Sequence, residues 1–307
     1  MRVTQAGFYN SATNQMQEQQ AKVFETQAQL SSGKKIDKPS DDPALAAALN
    51  ILNSQMTENS RYMTNLDRVF STMQMQETAI NSAVSQLSRV KTLAIQGAND
   101  SYSASDRKSI AVEVKELIAG LMDVANIRGT DGAYVFSGFN QQQEPFSEVD
   151  DEVVYLGSHD YQKILVDEGR FMEVGLPGSA VFGSVNHIDV ETGGTEAVDM
   201  FTTLNQMVTA LEDSEGDDIR SALAKVDSLH EHMITQESTV GARMSRVDGL
   251  KSTLEERDFT FKKLQSELED LDYVAAASRL KNQTLALQAG QQSFAQLANL
   301  SLFNYIR

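Results

Sequence analysis

The chain contains no cysteine and no tryptophan among its 307 residues. Without cysteine there can be no disulfide, no thiol nucleophile and no cysteine-based metal site. That absence suits an exported protein that must stay unlinked in transit, but many cytosolic proteins also lack cysteine. No run of eighteen apolar residues occurs, which excludes a helical bilayer span. The first twenty residues, MRVTQAGFYNSATNQMQEQQ, lack an apolar signal core, so the expectation is export, if any, by a route without a cleaved signal peptide. Basic residues are scarce in the middle. Residues 141–218 hold 18 Asp and Glu against Lys163 and Arg170 alone, a net of −16 within a chain of net −17. Such segregation argues against nucleic-acid binding and marks the middle as a solvent-facing unit, although an acidic surface also serves solubility.

Two heptad ladders flank that middle. One reads Leu45, Leu52, Asn59, Leu66, Met73, Ile80, Leu87 and Ala94. The other reads Ile219, Val226, Met233, Val240, Val247, Leu254, Phe261, Leu268 and Ala275. A strict period of seven keeps one narrow apolar seam facing a partner helix over many turns. At 1.5 Å per residue each ladder would run about 80–85 Å. The spacing therefore predicts an antiparallel, coiled-coil-like helical rod whose intramolecular seam is formed by these residues. A second set, Leu49, Met56, Met63, Phe70 and Val84, is expected to widen the apolar face of the first helix.

The block PSDDP at 39–43 predicts the start of that helix at about Pro43, with Ser40, Asp41 and Asp42 supplying capping oxygens. A break follows at 97–105, then a helix over 106–127 with Ile110, Val114, Leu117, Leu121 and Val124 on one face. Short β-branched and aromatic runs at 133–139, 152–156, 161–166 and 171–174, punctuated by glycine, predict a small antiparallel β unit. Helix returns at 197–211, and Asp217 and Asp218 open the second ladder. The fold class is thus mainly α with a β insertion. The expected division is a terminal helical region (1–42 and 276–307), a helical rod with a β-hairpin (43–140 and 197–275) and an acidic outer domain (141–196).

Both ends carry only thin apolar stripes: Tyr9, Met16, Val23 and Leu30 at one, Leu280, Leu287, Phe294, Leu297, Leu302 and Phe303 at the other. Such segments bury little alone and would order only when packed. They are the expected assembly interface with other subunits.

Sites of chemistry find little support. His230 and His232 are two apart, so on one helix they point in different directions and cannot share an ion. Gly33-Lys34-Lys35 lacks the upstream glycine and the following Ser or Thr of a phosphate loop. Gly175, Gly178 and Gly183 do not form a dinucleotide fingerprint, and the acidic run at 213–218 is too short for an EF-hand. No catalytic residue, metal or cofactor is expected.

Four landmarks carry a family likeness. Residues 30–44, LSSGKKIDKPSDDPA, resemble the segment after the first helix in bacterial flagellins and their junction relatives. Residues 89–118, with their Ser-Asp-Arg turn, resemble the family's second landmark, and GAYVFSGF at 132–139 resembles its β-hairpin. LANLSLFNYIR at the C-terminus is also similar. The PSDDP block and that ending resemble the junction branch more than flagellin itself. The resemblance implies an extracellular flagellar protein exported through the secretion channel, its terminal helices lining an inner tube and its middle facing outward. It also implies a ring of copies between hook-associated protein 1 and flagellin, and a secretion chaperone that holds the C-terminal segment beforehand. Flagellin is the nearest alternative and a coiled-coil signalling module a more distant one; an enzyme built on the middle is the remotest.

Overall fold

The computed structural model describes residues 2–129, 132–150, 152–188, 194–213 and 216–303, with side chains described except at 2–6, 8 and 297–303. In chain order the elements are helices α1 (Arg2–Ser32), α2 (Pro43–Gly97) and α3 (Ala104–Ala125), then strands β1 (Phe146–Val149), β2 (Glu152–Tyr155), β3 (Lys163–Asp167) and β4 (Arg170–Glu173). A single turn α4 (Gly178–Val181), strands β5 (Val185–Ile188) and β6 (Thr195–Val198), and helices α5 (Met200–Asp213), α6 (Gly216–Glu269) and α7 (Tyr273–Phe303) complete it. The chain divides into two packed units, Met1–Glu58 with Glu256–Arg307, and Asn59–Glu255. The expected class, mainly helical with an antiparallel β insertion, is what the structure has.

The helices begin where a side-chain oxygen can receive the free amides of a first turn. Asp42 Oδ1 accepts from the amides of Ala44 and Leu45 at 3.1 and 3.0 Å, so α2 starts at the expected Pro43. Ser103 and Asp106 form a reciprocal capping box at α3. Asp199 Oδ1 receives the Thr202 amide, and Asp272 Oδ1 receives those of Val274 and Ala275. α2 ends at Gly97, where a β-carbon would lie 2.3 Å from Leu211 Cδ2 of α5. Any side chain there would force Leu211 to move.

Within Asn59–Glu255, α2 and α6 run antiparallel in a fixed register. Lys251 pairs with Asp67 (2.7 Å), Asn81 Nδ2 donates to Glu237 (3.0 Å), and Ser88 Oγ lies 2.8 Å from His230 Nε2. Lys91 pairs with Asp227 (2.7 Å), and Arg220 donates to the Ala98 carbonyl (3.4 Å). Each step up α2 is matched by an equal step down α6, so the register never slips. The heptad positions Leu66, Met73, Ile80, Leu87 and Ala94 are 1 % exposed or less, as are Val226, Met233, Val240, Val247 and Leu254. Asn59, which interrupts the ladder, is buried too, and its Nδ2 donates to the Leu254 carbonyl at 3.0 Å.

The second apolar ridge of α2 differs from expectation. Met63, Phe70 and Val84 are only partly buried. The deeper ridge is Tyr62, Val69, Gln76, Ala83 and Val90, three residues rather than four after each seam position. Its reason is a second covering layer: Gln76 Nε2 donates to the carbonyls of Val135 and Leu176, and Gln76 Oε1 accepts the Leu176 amide at 2.9 Å. Arg89 pairs with Glu113 of α3 on a neighbouring face.

Among the described residues the β insertion has three two-stranded antiparallel sheets, β1–β2, β3–β4 and β5–β6. The run at 133–139 is not a strand. It holds an isolated bridge between Arg128 and Tyr134 and then turns, with Gly138 at φ +64°. Strands β1, β5 and β6 lie outside the predicted runs, because Ser147, Glu148, Asn186 and Glu196 dilute their apolar pattern. Residues 141–196 do not pack apart from the helices. Phe146 meets Phe182 edge to face and lies tilted against Phe201, centroids 5.6 Å apart in each pair, and Phe136 meets Phe182 edge to face at 5.1 Å. These rings share one core with the α2–α6 seam. Tyr155 donates toward the carbonyls of Phe136 and Ser158, and its burial raises the phenol's pKa.

Gln76→Leu should lower stability by about 1–3 kcal/mol, because three main-chain polar groups lose their buried partner. Thermal unfolding followed by circular dichroism measures it, and an unchanged midpoint would mean the loops are held by other contacts. A second expectation concerns pH. The Ser103 hydroxyl, and then its amide, hold the Asp106 carboxyl below the usual carboxylate range. A depressed folded-state pKa stabilises above the unfolded-state value and is lost as pH falls through the folded-state value. The stability difference between the parent and Asp106→Asn should therefore be present at neutral pH and vanish in strong acid, as judged by melting the two side by side.

Candidate assembly surfaces

In the unit formed by Met1–Glu58 and Glu256–Arg307, the two thin stripes face each other. Tyr9 of α1 meets Phe294 of α7 edge to face, centroids 5.6 Å apart. Ala12 and Met16 share a cleft with Leu287 and Gly290, so α1 and α7 run antiparallel. Tyr9, Met16, Val23, Leu30, Leu280, Leu287 and Phe294 are all half-buried. Residues expected to touch other subunits are thus partly used within the chain, which satisfies each stripe with the other. Leu297, Leu302 and Phe303 lie outside the described side chains.

The base of this pair is closed by Gly33-Lys34-Lys35. Gly33 ends α1 at φ +74°, its amide donating to Gln29 O at 2.9 Å, a conformation that suits glycine. Lys35 N donates to Glu269 O (2.7 Å) and Leu271 N donates to Gly33 O (2.9 Å). Lys34 pairs with Glu269, and Lys35 Nζ reaches the Glu267 carbonyl. The glycine-lysine segment is therefore a backbone bridge between α1 and the end of α6. In the same unit Leu52 is buried, whereas Leu45, Phe261 and Leu268 are half-buried, and Gln265 donates to Asn53 at 3.2 Å. The seam is shallower there than in the other unit.

That unit also exposes large apolar side chains that the stripes did not reveal. Val274 is 83 % exposed, Phe259 71 %, Ile51 62 % and Phe24 61 %. They sit off the seven-residue ladder, so the only sequence signal was an apolar residue at a position expected to be polar.

The described histidines are spread over separate contacts. His230 faces Ser88, whereas His232 Nε2 lies 2.9 Å from the Ala180 carbonyl, so the two imidazoles serve different neighbours. His187 Nδ1 lies 2.8 Å from Ser228 Oγ. Ser88 and Ser228 sit inside long helices, whose amides are consumed by helix hydrogen bonds and cannot stabilise an oxyanion. These serine–histidine contacts tie elements together. Among the described residues no group of three His, Asp or Glu could hold a metal ion, and no helix is long and apolar enough to cross a membrane.

Long antiparallel helices with a β insertion between them in the sequence agree with comparison to known proteins. The profile of the bacterial flagellin N-terminal helical region matches residues 3–141, and that of the bacterial flagellin C-terminal helical region matches 223–306. The chain belongs to the bacterial flagellin family. Along its whole length it is similar to flagellar hook-associated protein 3 of Escherichia coli K12, 27 % identical over 318 aligned positions that cover 99 % of each chain. The protein of the same name from Salmonella typhimurium LT2 is 26 % identical over the full length of both. The fold is also that of a solved putative flagellar hook-associated protein from Vibrio parahaemolyticus, with a TM-score of 0.66 at 18 % identity over 75 % of this chain and all of that one.

A double-mutant cycle on Tyr9→Ala and Phe294→Ala should return a coupling of about 0.5–1.5 kcal/mol, the usual range for an aromatic pair. Melting of the full-length protein measures it, and zero coupling would mean α1 and α7 do not pair this way in solution.

Proposed function

We propose that the chain is a structural adaptor of the bacterial flagellum, joining the hook to the filament by helix packing and without catalysis. The observation that carries this is the extent of the likeness. The flagellin profiles leave 142–222 unmatched, yet the alignment with hook-associated protein 3 runs through that middle to cover 99 % of both chains. The exposed Phe24, Ile51, Phe259 and Val274 support it, since a subunit that worked alone would gain nothing from leaving them in water.

In this reading residues 1–42 and 276–307 make the inner contacts, 43–140 and 197–275 form the shaft, and the acidic 141–196 faces outward. Copies form a ring between hook-associated protein 1 and the first flagellin subunits. The protein works outside the cell, exported without a cleaved signal peptide, and a secretion chaperone holds the C-terminal amphipathic segment until then. Tyr9, Met16, Val23, Leu30, Leu280, Leu287, Phe294, Leu297, Leu302 and Phe303 contribute to the subunit contacts in the assembled state.

Deleting the gene should leave hooks intact while unpolymerised flagellin accumulates in the medium, as seen by electron microscopy and by protein staining of the culture fluid. A copy lacking 276–307 should not restore filaments. A deletion strain that sheds no flagellin would instead fit the filament subunit itself, since cells without flagellin have none to release.

A further inference from the structure

One layer of the α2–α6 seam is polar. From Asn59 to Ala94 every other member of the α2 ladder is apolar, as is every member of the α6 ladder from Ile219 to Leu254. Asn59 is 2 % exposed, and its Nδ2 donates to the Leu254 carbonyl at 3.0 Å. Its Oδ1 is also buried but has no hydrogen-bond partner among the described residues. A buried acceptor left without a donor costs stability that an apolar side chain of similar size would not. The bonded half of this amide fixes register, while the orphaned half makes the layer weaker than its apolar neighbours.

α6 is weakened over the same stretch for a separate reason. Glycine inside a helix lowers the helical equilibrium about fivefold relative to alanine. Elsewhere a close neighbour accounts for the glycine: a β-carbon at Gly97 would lie 2.3 Å from Leu211, and one at Gly120 would lie 2.9 Å from Gln86 Oε1. At Gly241 and Gly249 of α6 a β-carbon would meet nothing within 4 Å. No packing among the described residues requires glycine at either position, and Gly249 stands shortly before Leu254. The facing helix is stiffer. α2 holds no glycine from Pro43 until Gly97, and it is tied to the β insertion by Gln76 and by Asn65, whose Nδ2 donates to Leu165 O at 2.7 Å.

We infer that the rod has a built-in yielding point: the seam opens locally at the Asn59–Leu254 layer, and α6 is the helix that gives, between Gly241 and Leu254. Two unrelated costs, one in the seam and one in the backbone, fall on this stretch, and packing explains neither. Helices bend most readily at such sites, and a segment with weakened contacts opens at lower cost than the whole fold. The purpose rests on the adaptor reading above. A subunit seated between two different arrays has to fit both, and a shaft that gives at one place adjusts without unfolding.

Hydrogen exchange of the full-length protein, followed by mass spectrometry, tests this. Peptides over 249–255 and 59–64 should exchange roughly tenfold faster than those over 226–240 and 80–94. Gly249→Ala should slow exchange over 249–255 about fivefold. Asn59→Leu should slow both weak stretches by roughly fivefold, with less than about a twofold change over 80–94. Gly249→Ala fills open space and keeps the test valid should melting show that Asn59→Leu does not fold. Equal protection along both helices of the parent, or slowing spread evenly over them in the variants, overturns the yielding point. In cells, Asn59→Leu/Gly249→Ala protein should be secreted at the parent's level yet support fewer filaments; a full complement of filaments overturns the part in joining. The exchange measurement needs no hook or filament, so its failure beside a deletion strain that sheds flagellin would leave the adaptor reading standing.

Discussion

The antiparallel register of α2 on α6 is the constraint on which the larger unit depends. A helix advances about 100° per residue, so a slip of one position would turn each seam residue out of the core. From Asp67 to Ala98 the cross-helix polar contacts keep one offset, with Lys251, Glu237, His230, Asp227 and Arg220 as partners. None of these surface contacts need be strong, since exposed ion pairs contribute little. Their value is geometric, because each is satisfied in one register alone. Asn59 adds a buried version of the same device, its amide tied to the Leu254 carbonyl.

The helical frame was legible because a strict seven-residue apolar period arises in few settings besides the pairing of long helices. The heptad positions from Leu66 to Ala94 and from Val226 to Leu254 are buried, and α2 opens at Pro43 behind the Asp42 cap. The β insertion was read less well. Its strands are four or five residues long, too short for alternation to stand above the acidic background, and 133–139 has strand-like residues in a path set by turns. The ridge through Gln76 was missed for another reason. A polar residue in a helix reads as solvent-facing, and only the loops that bury it reveal otherwise. Similarly, Phe24 and Val274 could be identified as apolar from the sequence, but not as exposed.

The two units use apolar residues differently. In Asn59–Glu255 the aromatic cluster of Phe136, Phe146, Phe182 and Phe201 is sealed, and the helices and hairpins share one core. In the unit containing both termini the seam residues Leu45, Phe261 and Leu268 remain half-covered, and α1 and α7 rely on each other. Burial of a large aliphatic side chain contributes roughly 1.5–3 kcal/mol, so half-covered positions hold part of that in reserve for contact with other molecules.

The grip of Gln76 on the loops has a consequence for how the middle can change. All three of its bonds go to main-chain atoms, the carbonyls of Val135 and Leu176 and the amide of Leu176. The helix therefore pins the path of these loops at two points and leaves the length of chain between them free. A longer excursion can be spliced between Val135 and Leu176 without touching the clamp, whereas a β-carbon at Gly175 would press on Gln76 Nε2 at 2.7 Å.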